Sequence, residues 1–236
     1  MPAYLIPLLV AAATAGACSH AAPRASDTTS SARAATQPTA AGAVAPPSPT
    51  DTISRRADRG RILGDSTASV WLVEASDFQC PFCKQWHDAA FPSIVKDYVN
   101  TGRVRVAFLN MPLNIHQFAK QASEAAMCAS VQDRFWPMHD SLFATQGIWE
   151  KMQNPASMFD TLANENHVEM TAWRTCMEKH LTIPLIEADY DRARTAGVGS
   201  TPTFFAGGKV LPGADADVRG ALDAALASKP TAKPPR

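Results

Sequence analysis

The chain has 236 residues, and its 22 Lys plus Arg balance 22 Asp plus Glu to a formal net charge of zero. That length exceeds a mini-protein held by disulfides alone, and the charge balance excludes nucleic-acid binding driven by a basic excess. A 46% hydrophobic fraction suffices for a core, 18 Pro and a long Ala/Ser/Thr/Pro run set part of the chain apart from it, and five Cys leave one outside any set of pairs.

Residues 1–17 contain no charged side chain, and Leu5 to Ala15 have the length of a signal-peptide core, short of the roughly 20 apolar residues a spanning helix needs. An export leader over 1–17 is expected. Ala15, Gly16 and Ala17 before Cys18 resemble a bacterial lipobox, in which the cysteine is lipidated and becomes the first mature residue. Ala15 stands where lipoproteins usually have Leu, and the leader has no Lys or Arg. The same residues also read as an Ala-x-Ala site for ordinary signal peptidase, which releases a soluble protein. That route leaves Cys18 as a free thiol in an oxidising compartment, so lipidation at Cys18 is the preferred reading.

From Ser19 to Ser54, 28 of 36 residues are Ala, Gly, Pro, Ser or Thr, and no aromatic occurs between Tyr4 and Trp71. Such a segment cannot bury enough apolar area to offset its ordering entropy, so 18–54 is expected to be a disordered tether with a root-mean-square reach of roughly 30 Å. The folded domain is expected over 55–228, followed by a Pro-rich tail at 229–236.

Ser69 to Ser76 reads as a strand and runs at once into Cys80-Pro81-Phe82-Cys83 and a helical pattern in which Phe82, Trp86, Ala89 and Ala90 share a face. Pro92 bends or restarts that helix, which continues to Val99, and Val104 to Leu109 forms a second strand, parallel to the first. A helical insertion follows at about 113–182, with one apolar stripe at Phe118, Ala122, Ala125, Ala126 and Ala129 and another at Trp173, Cys176, Met177 and His180. A further helix is expected from about Pro184 to Ala196. Thr203 to Ala206, Gly207-Gly208 and Lys209 to Leu211 read as a hairpin, and Asp215 or Asp217 caps a last helix through Leu226.

A Cys-x-x-Cys pair where a strand meets a helix puts the first sulfur at the helix N-terminus. There the unsatisfied N–H groups and the helix dipole stabilise a thiolate. Pro81 suits the first turn, which does not need its missing N–H. The chemistry asks for one exposed, low-pKa nucleophile at Cys80 and one deeper resolving thiol at Cys83.

The run VEASDFQCPFCKQWH, the later GVGSTPTFFAGGK and the helical region between them resemble the DsbA-like branch of the thioredoxin superfamily. The resemblance covers about 55–228 and implies an α/β thioredoxin fold with a helical insertion. It implies that Cys80 is the nucleophile, Cys83 the resolving cysteine, Pro202 the cis-proline beside them, and Glu74 the partly buried acid that helps move a proton to or from the inner thiol; an exposed strand carboxylate is the alternative reading of Glu74. Pro81, Phe82 and Thr201 complete the active-site loops, the Thr201 backbone pairing with an extended substrate strand. Phe82 departs from the His of the best-known DsbA active site, which puts the acidity of Cys80 in question. The resemblance also implies a second pair at Cys128 and Cys176, on the apolar faces of two helices; two buried reduced cysteines are the alternative reading.

The function implied is extracytoplasmic thiol-disulfide exchange with exported, cysteine-bearing proteins, in the oxidising direction. A membrane redox partner recycles the site, the chain is tethered through a lipid at Cys18, and a monomer is expected because the tether is unsuited to dimerisation. No cofactor and no metal are called for. A reductase or isomerase shares the motif. From a different class, Cys80, Cys83 and His87 offer three ligands to copper or zinc, although His87 by itself reads as a packing or surface residue. Covalent haem attachment is excluded because Lys84 stands where His is needed.

Overall fold

Helix α1 (Pro49–Gly60) opens the part of the chain that the computed structural model describes, residues 49–228, with the backbone alone for 49–52. The leader at 1–17, Cys18, most of the tether and the tail at 229–236 lie outside the described residues. Helix α1 begins inside the span 18–54 expected as tether. Late in α1, Ala57 is wholly buried, and its carbonyl accepts a 2.6 Å hydrogen bond from Ser130 Oγ, a partner that composition does not register.

Strand β1 (Ile62–Leu63), too short to leave a sequence signal, pairs antiparallel with β3 (Val104–Asn110). Strand β2 (Val70–Ser76) lies parallel to β3, from Val70 opposite Val104 to Ser76 opposite Asn110. Between them run α2 (Pro81–Ala89), α3 (Phe91–Ile94) and a π turn at Val95–Val99. The helix thus restarts at Phe91-Pro92, but its continuation is π rather than α. Hairpin strands β4 (Thr203–Ala206) and β5 (Lys209–Pro212) complete the order β1-β3-β2-β4-β5. Gly207 and Gly208 turn the hairpin with φ of 56° and 77°, and positive φ at both positions is what a tight hairpin turn needs.

The insertion comprises α4 (Ala119–Ser130), α5 (Phe135–Ala144), α6 (Gln146–Trp149), α7 (Ala156–Glu165) and α8 (Met170–Glu178), followed by α9 (Ile183–Thr195). Helix α10 (Val218–Ala227) closes the fold, and Asp217 caps it by accepting from Gly220 N–H at 2.8 Å. Cys128 on α4 and Cys176 on α8 form a disulfide with a Cα–Cα distance of 5.8 Å. The α4 stripe is buried throughout, whereas His180 corrects the second stripe: it follows α8 with φ of 52°, is exposed, and pairs with Glu124 at 3.0 Å.

Of three apolar clusters among the described residues, the two larger ones share β3. One packs Leu72, Val106 and Phe204 against Trp86, Ile94 and Leu222; the other gathers the insertion around Phe78, Phe108, Phe135 and Phe143 and includes both Cys80 and Cys83. The Cys-x-x-Cys turn therefore sits on the seam between sheet and insertion. Among the described residues no helix is long and apolar enough to cross a membrane.

Candidate active site

Cys80 is the N-cap of α2, in extended geometry, with Pro81 in the first turn. Its S–H donates to the Thr201 carbonyl at 3.4 Å, and the Thr201–Pro202 peptide is cis. One turn on, the Cys83 sulfur accepts from Asp77 N–H at 3.5 Å. Both thiols are free.

The two sulfurs are driven apart electrostatically. A hydrogen bond from the Cys83 thiol lowers the Cys80 pKa to about 6; burial opposes this, and donors at Thr201 and the backbone N–H groups of Cys83 and Phe82 add to it. Burial pushes Cys83 well above its ordinary value, helped by the negative charge on Cys80. Cys80 departs from the expectation of an exposed nucleophile, because only 3% of its surface is accessible. The cause is the Thr201–Pro202 loop lying against the sulfur, while the neighbouring Phe82 is 60% exposed.

Glu74 lies on β2 between Phe108 of β3 and Phe204 of β4. It is wholly buried, neither carboxyl oxygen has a hydrogen-bond partner, and burial raises its pKa to about 7. The structure thus brings Cys80, Pro81, Phe82, Cys83, Thr201 and Pro202 into contact along two loops, with Glu74 in the sheet from which α2 starts.

His87 is not grouped with the cysteines. Its ring packs on Phe143 at 4.9 Å and on His139 at 5.1 Å, and its nitrogens face Asp88 Oδ1 at 3.0 Å and Asp140 Oδ1 at 3.1 Å. Among the described residues the one gathering of possible metal ligands is His87, His139 and Asp140, not Cys80, Cys83 and His87. Asp140 Oδ1 bridges the two rings, with His139 Nδ1 at 2.8 Å. Burial works against a cation at His87, but the hydrogen bonds to Asp140 and Asp88 outweigh it and raise the pKa; burial lowers that of His139. His87 is a packing residue that ties α2 to α5.

Sequence reasoning missed three residues. Asp77, wholly buried just ahead of the Cys-x-x-Cys turn, accepts from Gln79 N–H at 2.7 Å and Leu113 N–H at 2.8 Å. His116 Nδ1 lies 2.7 Å from the same Asp77 Oδ2 that takes Leu113, and that bond raises its pKa. Gln146 on α6 donates to the carbonyls of Phe78 at 2.7 Å and Cys80 at 3.1 Å. Asp at a strand-to-helix junction is a turn signal that was there to be read. Nothing local marks His116 or Gln146, which reach the site from distant segments.

Residues 56–224 match the family described as thioredoxin. The chain is 33% identical over 153 residues to the Na(+)/H(+) antiporter NhaA 1 of Salinispora arenicola, covering 64% of this chain but 22% of that protein. It is 28% identical over 157 residues to disulfide bond formation protein D of Bacillus subtilis, covering 64% of this chain and 68% of that protein. The crystal structure of oxidised BdbD from Bacillus subtilis superposes with a TM-score of 0.65 at 25% identity, covering 72% of this chain and 95% of that one.

Proposed function

The chain belongs to the thioredoxin family, and from that footing we propose that it is a DsbA-like thiol-disulfide oxidoreductase that passes a disulfide from Cys80–Cys83 to exported proteins. The observation that carries this reading is the split between two thiols on one helical turn, Cys80 lowered to about 6 and Cys83 raised well above its ordinary value, beside the cis peptide at Pro202.

In the oxidised form a substrate thiolate attacks Cys80 Sγ, the Cys80–Cys83 bond breaks, and Cys83 leaves as a thiolate. Its high pKa makes it take a proton at once, and Glu74, titrating near neutrality in a dry site, is the group that supplies it. A second substrate thiolate attacks the substrate sulfur of the mixed disulfide and releases the Cys80 thiolate. Two electrons pass from substrate to protein, and a membrane redox partner that accepts them restores the disulfide. Pro202 offers no N–H to the sulfurs, which leaves the Thr201 backbone as the edge for an extended substrate.

The oxidising direction is supported by the lowered Cys80 pKa, since a stabilised thiolate favours the reduced protein and makes its disulfide the better oxidant. At pH 7 a fall from 9.0 to about 6 is worth about 1.4 kcal/mol, or about 30 mV for a two-electron couple. Within this reading the protein is a monomer on the outer side of a bacterial membrane, anchored by lipid at Cys18. Relatives named for disulfide bond formation support the chemistry. The antiporter relative supports none of its transport, because the chain spans 22% of it.

Oxidation of a reduced model protein in a defined glutathione buffer tests the reaction. The wild type should restore its substrate's activity and Cys80→Ala should not; turnover that persists in Cys80→Ala sinks the assignment. The equilibrium with glutathione gives the potential and hence the direction. Radioactive fatty-acid label that is lost in Cys18→Ser tests the anchor.

A further inference from the structure

We propose that His116 is the cation that stabilises the Cys80 thiolate, a task that the residue between the two cysteines, Phe82, cannot perform. This inference rests on the reading of Cys80 as the nucleophile.

The geometry starts at Asp77. Its backbone N–H faces the Cys83 sulfur at 3.5 Å, so this residue is built into the redox site. Its carboxylate is wholly buried and is divided between two segments: Oδ1 takes Gln79 N–H at 2.7 Å, and Oδ2 takes both Leu113 N–H at 2.8 Å and the His116 ring at 2.7 Å. A second clasp joins the same segments, with Phe118 N–H donating to Gln79 Oε1 at 2.6 Å. The connection between β3 and α4 is thereby fastened to the turn that leads into Cys80, with His116 between the two fastenings.

A buried carboxylate bonded to one imidazole nitrogen fixes the ring and makes it more basic. Only 16% of the His116 side chain is exposed, so water screens its charge weakly. The groups whose charge acts on it are Asp77, Cys80 and Glu150, all of which favour its cation. By reciprocity, the interaction that holds the proton on His116 also holds it off Cys80. Two backbone N–H groups, on Gln79 and Leu113, also draw on the Asp77 charge.

The test is the titration of Cys80 in the reduced full chain, read as the pH dependence of its alkylation by iodoacetamide, with the alkylated cysteine identified by mass. His116→Gln keeps a hydrogen-bonding side chain without the charge and should slow alkylation at pH 6 about tenfold. A tenfold change in the exchange constant corresponds to about 30 mV, so its disulfide should become less oxidising by about that much. His116→Lys restores the charge and should titrate close to the wild type. The inference is overturned by a His116→Gln curve that superimposes on the wild type's, or by a His116→Lys curve displaced as far as that of Gln, which would trace the effect to loop packing. Alkylation needs no protein substrate, so a wild type that titrates as described yet fails to oxidise a protein defeats the proposed function and not this inference.

Discussion

Replacing Glu74 by Gln should stabilise the protein, by an amount that grows with pH. The Glu74 carboxyl is wholly buried without a hydrogen-bond partner, and burial raises its pKa from 4.5 to about 7. The folded-state pKa lies above the unfolded one, so between those values the unfolded chain has already released the proton that the folded chain retains. Stability therefore falls as pH rises through that window and levels off above about 7. The full gap is worth about 3 kcal/mol at pH 8, of which under about 1 kcal/mol is expressed at pH 5. Gln does not ionise, and the other titrations are shared by both proteins and cancel. The stability of Glu74→Gln relative to wild type should thus be about 2.5 kcal/mol greater at pH 8 than at pH 5. Urea unfolding followed by Trp fluorescence at the two pH values measures it. An offset that is the same at both would refute the reasoning, since it would mean that Glu74 ionises as readily in the folded protein as in the unfolded one. The same variant should slow formation of the mixed disulfide at Cys80, because the group proposed to supply a proton to the departing Cys83 thiolate is gone.

Removing the Cys128–Cys176 bond with the double Ala variant opens a loop with a sequence separation of 48 and should destabilise the fold by up to about 4 kcal/mol. Exchange activity below the new melting transition should survive, and a loss as complete as in Cys80→Ala would place this pair in the chemistry. Asp189→Ala takes from the buried Arg61 guanidinium one of its two carboxylate partners, leaving Asp58 and the Phe108 carbonyl, and takes an acceptor from Asn110 N–H and Nδ2, so urea unfolding should show a loss of roughly 1–3 kcal/mol; no measurable loss would mean that water reaches the pair. Phe82→His puts an imidazole beside Cys80 and should move its thiolate absorbance titration below about 6. An unmoved titration would show that the bonds from Cys83 and the helix N-terminus already set it.

Much of this architecture is written locally. The parallel pair around the Cys-x-x-Cys turn, the helical insertion, the helix after it and the Gly-Gly hairpin all follow from periods of two and 3.6 and from turn residues, and they stand within a few residues of where the pattern puts them. Those signals fail where an element owes its existence to a distant partner. Strand β1 is held by β3, and α1 is tied down near its end by Ser130. His180 continues a helical stripe in sequence but follows the end of α8, where the chain turns to positive φ and carries it out of the core.

The site divides along the same line. The sequence by itself determined the candidate reacting atoms, because a thiol at a helix N-terminus with a second thiol one turn on is a local arrangement. Only the tertiary structure decided the environment of those atoms. It seals Glu74 between two aromatic strand neighbours, covers Cys80 with the Thr201–Pro202 loop, and brings His116 and Gln146 to the active-site turn through a buried Asp77 carboxylate and two backbone carbonyls. Burial and charge proximity set the acidity of a thiol, and both are properties of which segments meet in space.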